Sequence, residues 1–135
     1  MQATGFDLLC SDMLQVQVYE KGGQYQDHFD FFAKEMPGFD RAIADGGQRT
    51  WTFMIYLNTV KEGGGTRFPA IDHTFTAKAG RALFWNNLNP DGTLNPLTIH
   101  AGLPVKKGKK VIATKWFREA PTWAMLQRFQ GYAAG

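Results

Sequence analysis

The amino-acid sequence predicts an all-β core built as a sandwich or jelly roll, and three observations carry that prediction. Seven or eight short runs rich in β-branched and aromatic residues recur along the chain, bounded mostly by glycine, proline or asparagine. Residues 14–19 alternate apolar and polar side chains at period two, and no segment between the runs has a strong helical period. The 15 glycines and 6 prolines are scattered instead of gathered in a linker, as a protein with many turns requires.

In order along the chain, residues 14–19 form the first strand, with Leu14, Val16 and Val18 on one face and Gln15, Gln17 and Tyr19 on the other. Gly22 and Gly23 turn the chain into a second short strand, residues 25–31. Residues 32–48 contain Pro37, Gly38 and Gly46-Gly47; they are too long for a tight turn and form a candidate active-site loop. Residues 51–57 are a nearly unbroken apolar, aromatic and threonine run, expected to be a strand buried on both faces. A glycine turn over 58–65 closes it. Short strands follow at 66–68, 74–77 and 81–85, separated by Pro69 and Gly80. Residues 86–95 are a second long loop; 97–100 and 111–117 supply the last strands, with 106–109 turning between them. Only 121–132 is expected to form a short helix.

With 135 residues, 44% hydrophobic and 14% aromatic, the chain has the size of one compact domain with its own core. It contains no apolar run long enough for a membrane span and no secretory leader at its start, so the cytoplasm is the expected compartment and a membrane is not an expected partner. Cys10 is the sole cysteine, which excludes an internal disulfide and a thiolate metal cage, and leaves His, Asp and Glu to supply any metal ligands. Much of the net charge of +3 comes from Lys106, Lys107, Lys109, Lys110, Lys115 and Arg118. This cluster is read as a solvated hairpin, so nucleic acid is not the expected partner.

The sharpest chemical feature is His28-Phe29-Asp30, because residues two apart on a strand project to the same face and together hold one ion. A distant third histidine, either His73 or His100, would complete a two-His, one-carboxylate facial triad, the arrangement that binds Fe(II) with open positions left for reactants. His73 lies in a polar stretch between strands and reads as a surface residue. Lys110 begins the last strand after a glycine turn, on the same face as Ile112, Thr114 and Trp116. A lysine at such a pocket wall needs an anion to neutralise it.

Taken together, the segments resemble the prolyl 4-hydroxylase branch of the 2-oxoglutarate and Fe(II) dioxygenases. The resemblance rests on Gln15-Val-Gln-Val-Tyr19, Gly23-Gln-Tyr-Gln-Asp-His-Phe-Asp30, Arg49-Thr-Trp-Thr-Phe-Met-Ile-Tyr-Leu-Asn58, Gly63-Gly-Gly-Thr-Arg-Phe-Pro69, Gly80-Arg-Ala-Leu-Phe84 and His100-Ala-Gly-Leu-Pro-Val105, followed by Gly108, Lys110 and Trp116. It implies a double-stranded β-helix, a cupin-like jelly roll with few or short helices. It also implies that His28, Asp30 and His100 bind catalytic iron and that Lys110 pairs with the distal carboxylate of the cosubstrate 2-oxoglutarate, with Tyr19 and Thr66 assisting. Tyr25, Arg49 and Trp116 match positions along a peptide groove. The implied reaction converts proline, 2-oxoglutarate and O2 to 4-hydroxyproline, succinate and CO2, with ascorbate as a further cofactor and a proline-containing peptide or protein as substrate.

The chain departs from the pattern at Leu103, where relatives often carry cysteine, and in the short segment before residue 14, where relatives carry helices that brace the larger sheet. Residues 1–135 are therefore expected to be a single catalytic domain with that helical support truncated, and oligomerisation is one way of covering the exposed sheet. Two other readings stand beside the peptide hydroxylase: the same chemistry on a free amino acid or other small molecule, and a non-catalytic jelly-roll binding module.

Overall fold

The structure, a computed structural model, describes residues 5–133. In chain order its elements are β1 (Gln15–Tyr19), β2 (Tyr25–His28), α1 (Phe39–Ala44), β3 (Arg49–Tyr56), β4 (Glu62–Gly63), β5 (Thr66–Phe68), β6 (His73–Phe75), β7 (Ala82–Asn86), β8 (His100–Gly102), β9 (Val105–Lys107), β10 (Lys110–Arg118) and α2 (Trp123–Ala133), with 3-10 turns at Pro69–Ile71 and Pro96–Thr98. One four-stranded sheet runs β1-β10-β3-β7 and faces a second, β2-β8-β5-β6, while β4 and β9 pair at one end. Every pairing is antiparallel, the jelly-roll arrangement of two packed sheets expected from the sequence. Met54, Tyr56, Phe68, Leu83, Val105 and Ile112 belong to the buried cluster between them. Burial of each such side chain contributes roughly 1.5–3 kcal/mol.

The register of the larger sheet decides which side chains face inward. Gln15, Gln17 and Tyr19 stand opposite Thr114, Ile112 and Lys110. Directly opposed residues share a face, so the polar side of β1 becomes a wall of the interior. The apolar side points out, leaving Leu14, Val16 and Val18 exposed by 61%, 56% and 57%. Phe53 and Phe84, paired across β3 and β7 with stacked rings, extend this bare apolar face.

Several sequence expectations are corrected by the structure. The strand expected over 51–57 is buried on one face only: Met54 and Tyr56 point in while Phe53 points out. β2 stops at His28, so Asp30 lies beyond the strand that was expected to carry it. The loop over 32–48 contains α1, a six-residue helix entered through Gly38 in the left-handed region at φ 79°. The strand expected at 97–100 is a 3-10 turn followed by β8, because Pro96 pre-sets a turn and removes a ladder donor. β4 and β9 arise inside segments read as turns, and His73 belongs to β6 instead of a stretch between strands. The basic cluster divides: Lys106, Lys107 and Lys109 are solvated, whereas Lys110 and Arg118 are buried.

Candidate active site

His28 ends β2 directly opposite His100, the first residue of β8, and their rings lie 4.2 Å apart. Asp30, two residues past His28, turns back toward both. Its Oδ1 is 3.5 Å from His28 Nε2 and 3.6 Å from His100 Nε2. One ligand atom from each of the three residues lies within 4.8 Å of the others.

The hydrogen bonds fix the tautomers of both imidazoles. His28 Nδ1 is 2.7 Å from the Gln26 carbonyl oxygen, and His100 Nδ1 is 2.8 Å from that of Thr98. A carbonyl only accepts, so each Nδ1 carries a proton and donates it, which leaves Nε2 as the nitrogen available to a metal. Burial pushes the His100 pKa below the ordinary imidazole value against the attraction of Asp30, which favours the neutral form a metal requires. For Asp30, burial acts to raise the carboxyl pKa. Attraction from the facing His28 and His100 rings and the hydrogen bond from the Thr52 hydroxyl outweigh it and hold the group at about 2, with a further contribution from the Trp116 indole N–H, which lies outside full hydrogen-bonding geometry. Two imidazoles and one carboxylate suit a divalent iron site with open positions.

These three residues open onto a cavity of about 330 Å³ whose walls include Tyr19, Tyr25, Arg49, Thr66, Lys110 and Trp116. The structure thus brings all the candidate site residues around one space, and His73 lies outside it, exposed on β6. Lys110 is 3% exposed and has no carboxylate partner among the described residues. Its ammonium faces the rings of Tyr19 and Tyr56 at 5.2 and 5.7 Å, and burial lowers its pKa to about 8. Gly102 follows His100 on the same face of β8, and a side chain there would begin 3.5 Å from Lys110 Nζ. Its lack of a side chain keeps space open between imidazole and ammonium.

Thr66 Oγ1 and Tyr56 Oη are 2.5 Å apart and buried. One hydroxyl proton is used between them and the other remains for a ligand oxygen. Tyr19 donates to Gln17 Oε1 at 3.2 Å, and burial, followed by the nearby Tyr25, raises its pKa. At the other end Arg49 bonds Asp12 at 2.9 Å and lies 4.0 Å over the Trp116 ring, while the Tyr25 ring sits 4.0 Å from that of His28. The Trp85 indole N–H, beside His100, has no hydrogen-bond partner among the described residues. An unpaired cation and unpaired buried donors around three converging metal-ligand atoms fit a metal with a bound, oxygen-rich anion.

Sequence reasoning missed Tyr56, Thr52 and Asn87. Period two along β3 places Thr52, Met54 and Tyr56 on one face, a signal hidden by reading the strand as buried on both sides. Asn87 follows β7, and nothing local in the sequence marks it.

The description of the 2OG-Fe(II) oxygenase superfamily matches residues 14–118. The chain is 40% identical to prolyl 4-hydroxylase subunit alpha-1 of Gallus gallus over 86% of its own length and 22% of that protein, and 36% identical to a probable prolyl 4-hydroxylase 3 of Arabidopsis thaliana over 76% and 41%. Among solved structures it resembles the viral collagen prolyl hydroxylase of Paramecium Bursaria Chlorella virus-1, in complex with 2OG, with a TM-score of 0.61 at 34% identity, over 81% of this chain and 62% of that one. The chain therefore spans about a fifth of the alpha subunit it matches. On the family match across residues 14–118, the chain belongs to the 2OG-Fe(II) oxygenase superfamily, and the relatives it resembles are prolyl 4-hydroxylases.

Proposed function

We propose that this domain is an Fe(II)- and 2-oxoglutarate-dependent dioxygenase acting as a peptidyl-proline 4-hydroxylase. The observation that carries the reading is the union, in one cavity, of the His28-Asp30-His100 cluster with Lys110, a buried cation that lacks a protein anion. In this reading His28 and His100 hold the iron through Nε2 and Asp30 through Oδ1. With the cosubstrate and O2 bound, the iron supplies the oxidising chemistry, in which 2-oxoglutarate is converted to succinate and CO2 and a substrate C–H bond is hydroxylated.

The chain's own groups bind, orient and exclude water. Lys110 pairs with the distal carboxylate of the cosubstrate, and the free proton of the Thr66–Tyr56 hydroxyl pair donates to the same anion. Tyr19 closes that end with its ring. Phe68 and Trp85 pack against His100 and keep the metal face dry. Tyr25, Arg49 and Trp116 take the substrate at the open end, where two aromatic faces and one guanidinium suit an extended proline-bearing peptide. The names of the relatives support the prolyl substrate. The bare apolar face around Val16, Val18, Phe53 and Phe84 supports a domain completed by further chain or by a second copy.

Incubation of the protein with Fe(II), 2-oxoglutarate, ascorbate and proline-rich peptides is expected to release succinate and add the mass of one oxygen atom to a proline, read by mass spectrometry. Free proline is expected to support neither. Succinate release driven equally by free proline would replace the peptide reading with a small-molecule one, and absence of turnover with salt-dependent nucleic-acid binding would favour the binding module.

A further inference from the structure

Asp30 offers its two oxygens to different partners. Oδ1 faces the two histidine Nε2 atoms, whereas Oδ2 accepts a 2.7 Å hydrogen bond from the Thr52 hydroxyl. Thr52 in turn accepts a 2.9 Å bond from Asn87 Nδ2. Thr52 is 1% exposed and Asn87 0%, so no solvent competes for either. The chain of bonds has only one consistent direction. A carboxylate accepts and does not donate, so the single Thr52 proton goes to Asp30; the Thr52 oxygen is then left to accept, and Asn87 must present its amide nitrogen. This leaves Asn87 Oδ1 buried without a partner among the described residues. A buried orphan acceptor is costly, and is consistent with an amide whose orientation is dictated by its nitrogen end.

We propose that Asn87 and Thr52 form a positioning relay that commits Asp30 to presenting a single oxygen, Oδ1, to the metal. The relay rests on the iron-site reading above and gives it a stated geometry. The Asp30 backbone lies beyond the last residue of β2, so strand pairing does not fix the carboxylate direction. β3 supplies that constraint from the opposite sheet. With Oδ2 occupied, Asp30 binds through one atom and a position that a two-oxygen grip would take stays free for reactants. Thr52 sits between Trp116 and Trp85 in register across β10, β3 and β7, in the centre of the wall opposite the histidines, and Asn87 follows directly on the β7 end.

The test uses Co(II) as a spectroscopic stand-in for Fe(II), titrated under anaerobic conditions into the wild-type protein and three variants. Metal affinity and the Co(II) d–d spectrum are read together with thermal melts that establish folding. Thr52→Val keeps the shape and removes the donor; it is expected to weaken Co(II) binding on the order of 10–100-fold, the loss typical when a group that orients a ligand is removed, and to change the d–d spectrum. Thr52→Ser keeps the hydroxyl and is expected to retain affinity and spectrum. Asn87→Leu removes only the outer donor and is expected to fall between them, which keeps the relay testable should Thr52→Val not fold. Wild-type protein that does not bind Co(II) would end the metal-site reading and the relay with it. Wild-type binding matched in affinity and spectrum by folded Thr52→Val, or by Asn87→Leu in its place, would overturn the relay alone. Equal losses in Thr52→Ser and Thr52→Val would assign the effect to packing and overturn it as well.

Discussion

Replacing Lys110 by methionine is expected to raise the 2-oxoglutarate concentration needed for half-maximal succinate formation by roughly 10²- to 10³-fold. Breaking a buried ion pair on one side costs roughly 3–5 kcal/mol, and each 1.4 kcal/mol is about tenfold in affinity. No other cation among the residues lining this end of the cavity is placed to substitute. The same change is expected to stabilise the ligand-free protein. Burial depresses the Lys110 pKa to about 8, so the folded protein binds fewer protons than the unfolded chain between about pH 8 and the ordinary lysine value. Ligand-free wild-type stability should therefore rise with pH across that window, by on the order of 3 kcal/mol, while the penalty of the charged lysine is fully present below it. Lys110→Met has no such rise and melts higher at neutral pH. Saturating 2-oxoglutarate should narrow the difference, because the bound anion neutralises the lysine and stabilises only the protein that binds it. An unchanged requirement for 2-oxoglutarate in the variant would remove Lys110 from the cosubstrate site.

Replacing His100 by alanine is expected to abolish turnover to background and to weaken metal binding by more than ~100-fold, exceeding the loss expected for a group that merely orients a ligand. His100 is 6% exposed and packs against Phe68, Trp85 and His28, so truncation also opens a cavity and leaves the Thr98 carbonyl without its imidazole donor. A fold defect is separated from a metal defect by melting the variant with and without Co(II): wild-type protein should gain stability from the metal and His100→Ala should not. His73→Ala supplies the control, since His73 is exposed and outside the cluster. Retained turnover in folded His100→Ala, or its loss in His73→Ala, would contradict the assigned triad.

The site was more legible in the sequence than the elements that carry it. The His-x-Asp tripeptide and a lysine on an apolar strand face mark His28, Asp30 and Lys110, the family resemblance selects His100 over His73, and the four converge although the strand expected to carry Asp30 ends before it. Asp30 was placed on a strand by the period-two rule, whereas β2 ends at His28 and the carboxylate is aimed by Thr52 from the facing sheet. Contacts of this kind join residues 22 positions apart and leave no local periodicity. α1 was invisible for a related reason: its six residues are too few to display a helical repeat, and helices so short depend on their surroundings. The inward polar face of β1 runs against the usual rule that apolar side chains fill the interior, and it is understood only once Lys110 is seen opposite Tyr19.

Those surroundings give α1 a further significance. The buried Arg118 guanidinium donates to the carbonyls of Ala42 and Asp45 and to that of Gly47 at 2.9 Å, and pairs with Asp12 at 2.7 Å. Gln48 and Phe32 exchange two hydrogen bonds at 2.8 and 2.7 Å, which closes the loop at its base. The segment bordering the cavity is thus clamped at both its neck and its far shoulder, and Met36, on the cavity wall, lies between the two clamps. The loop that borders the cavity is accordingly tied to the last strand of the larger sheet, so a change at Arg118 or Gln48 reaches the cavity wall through it.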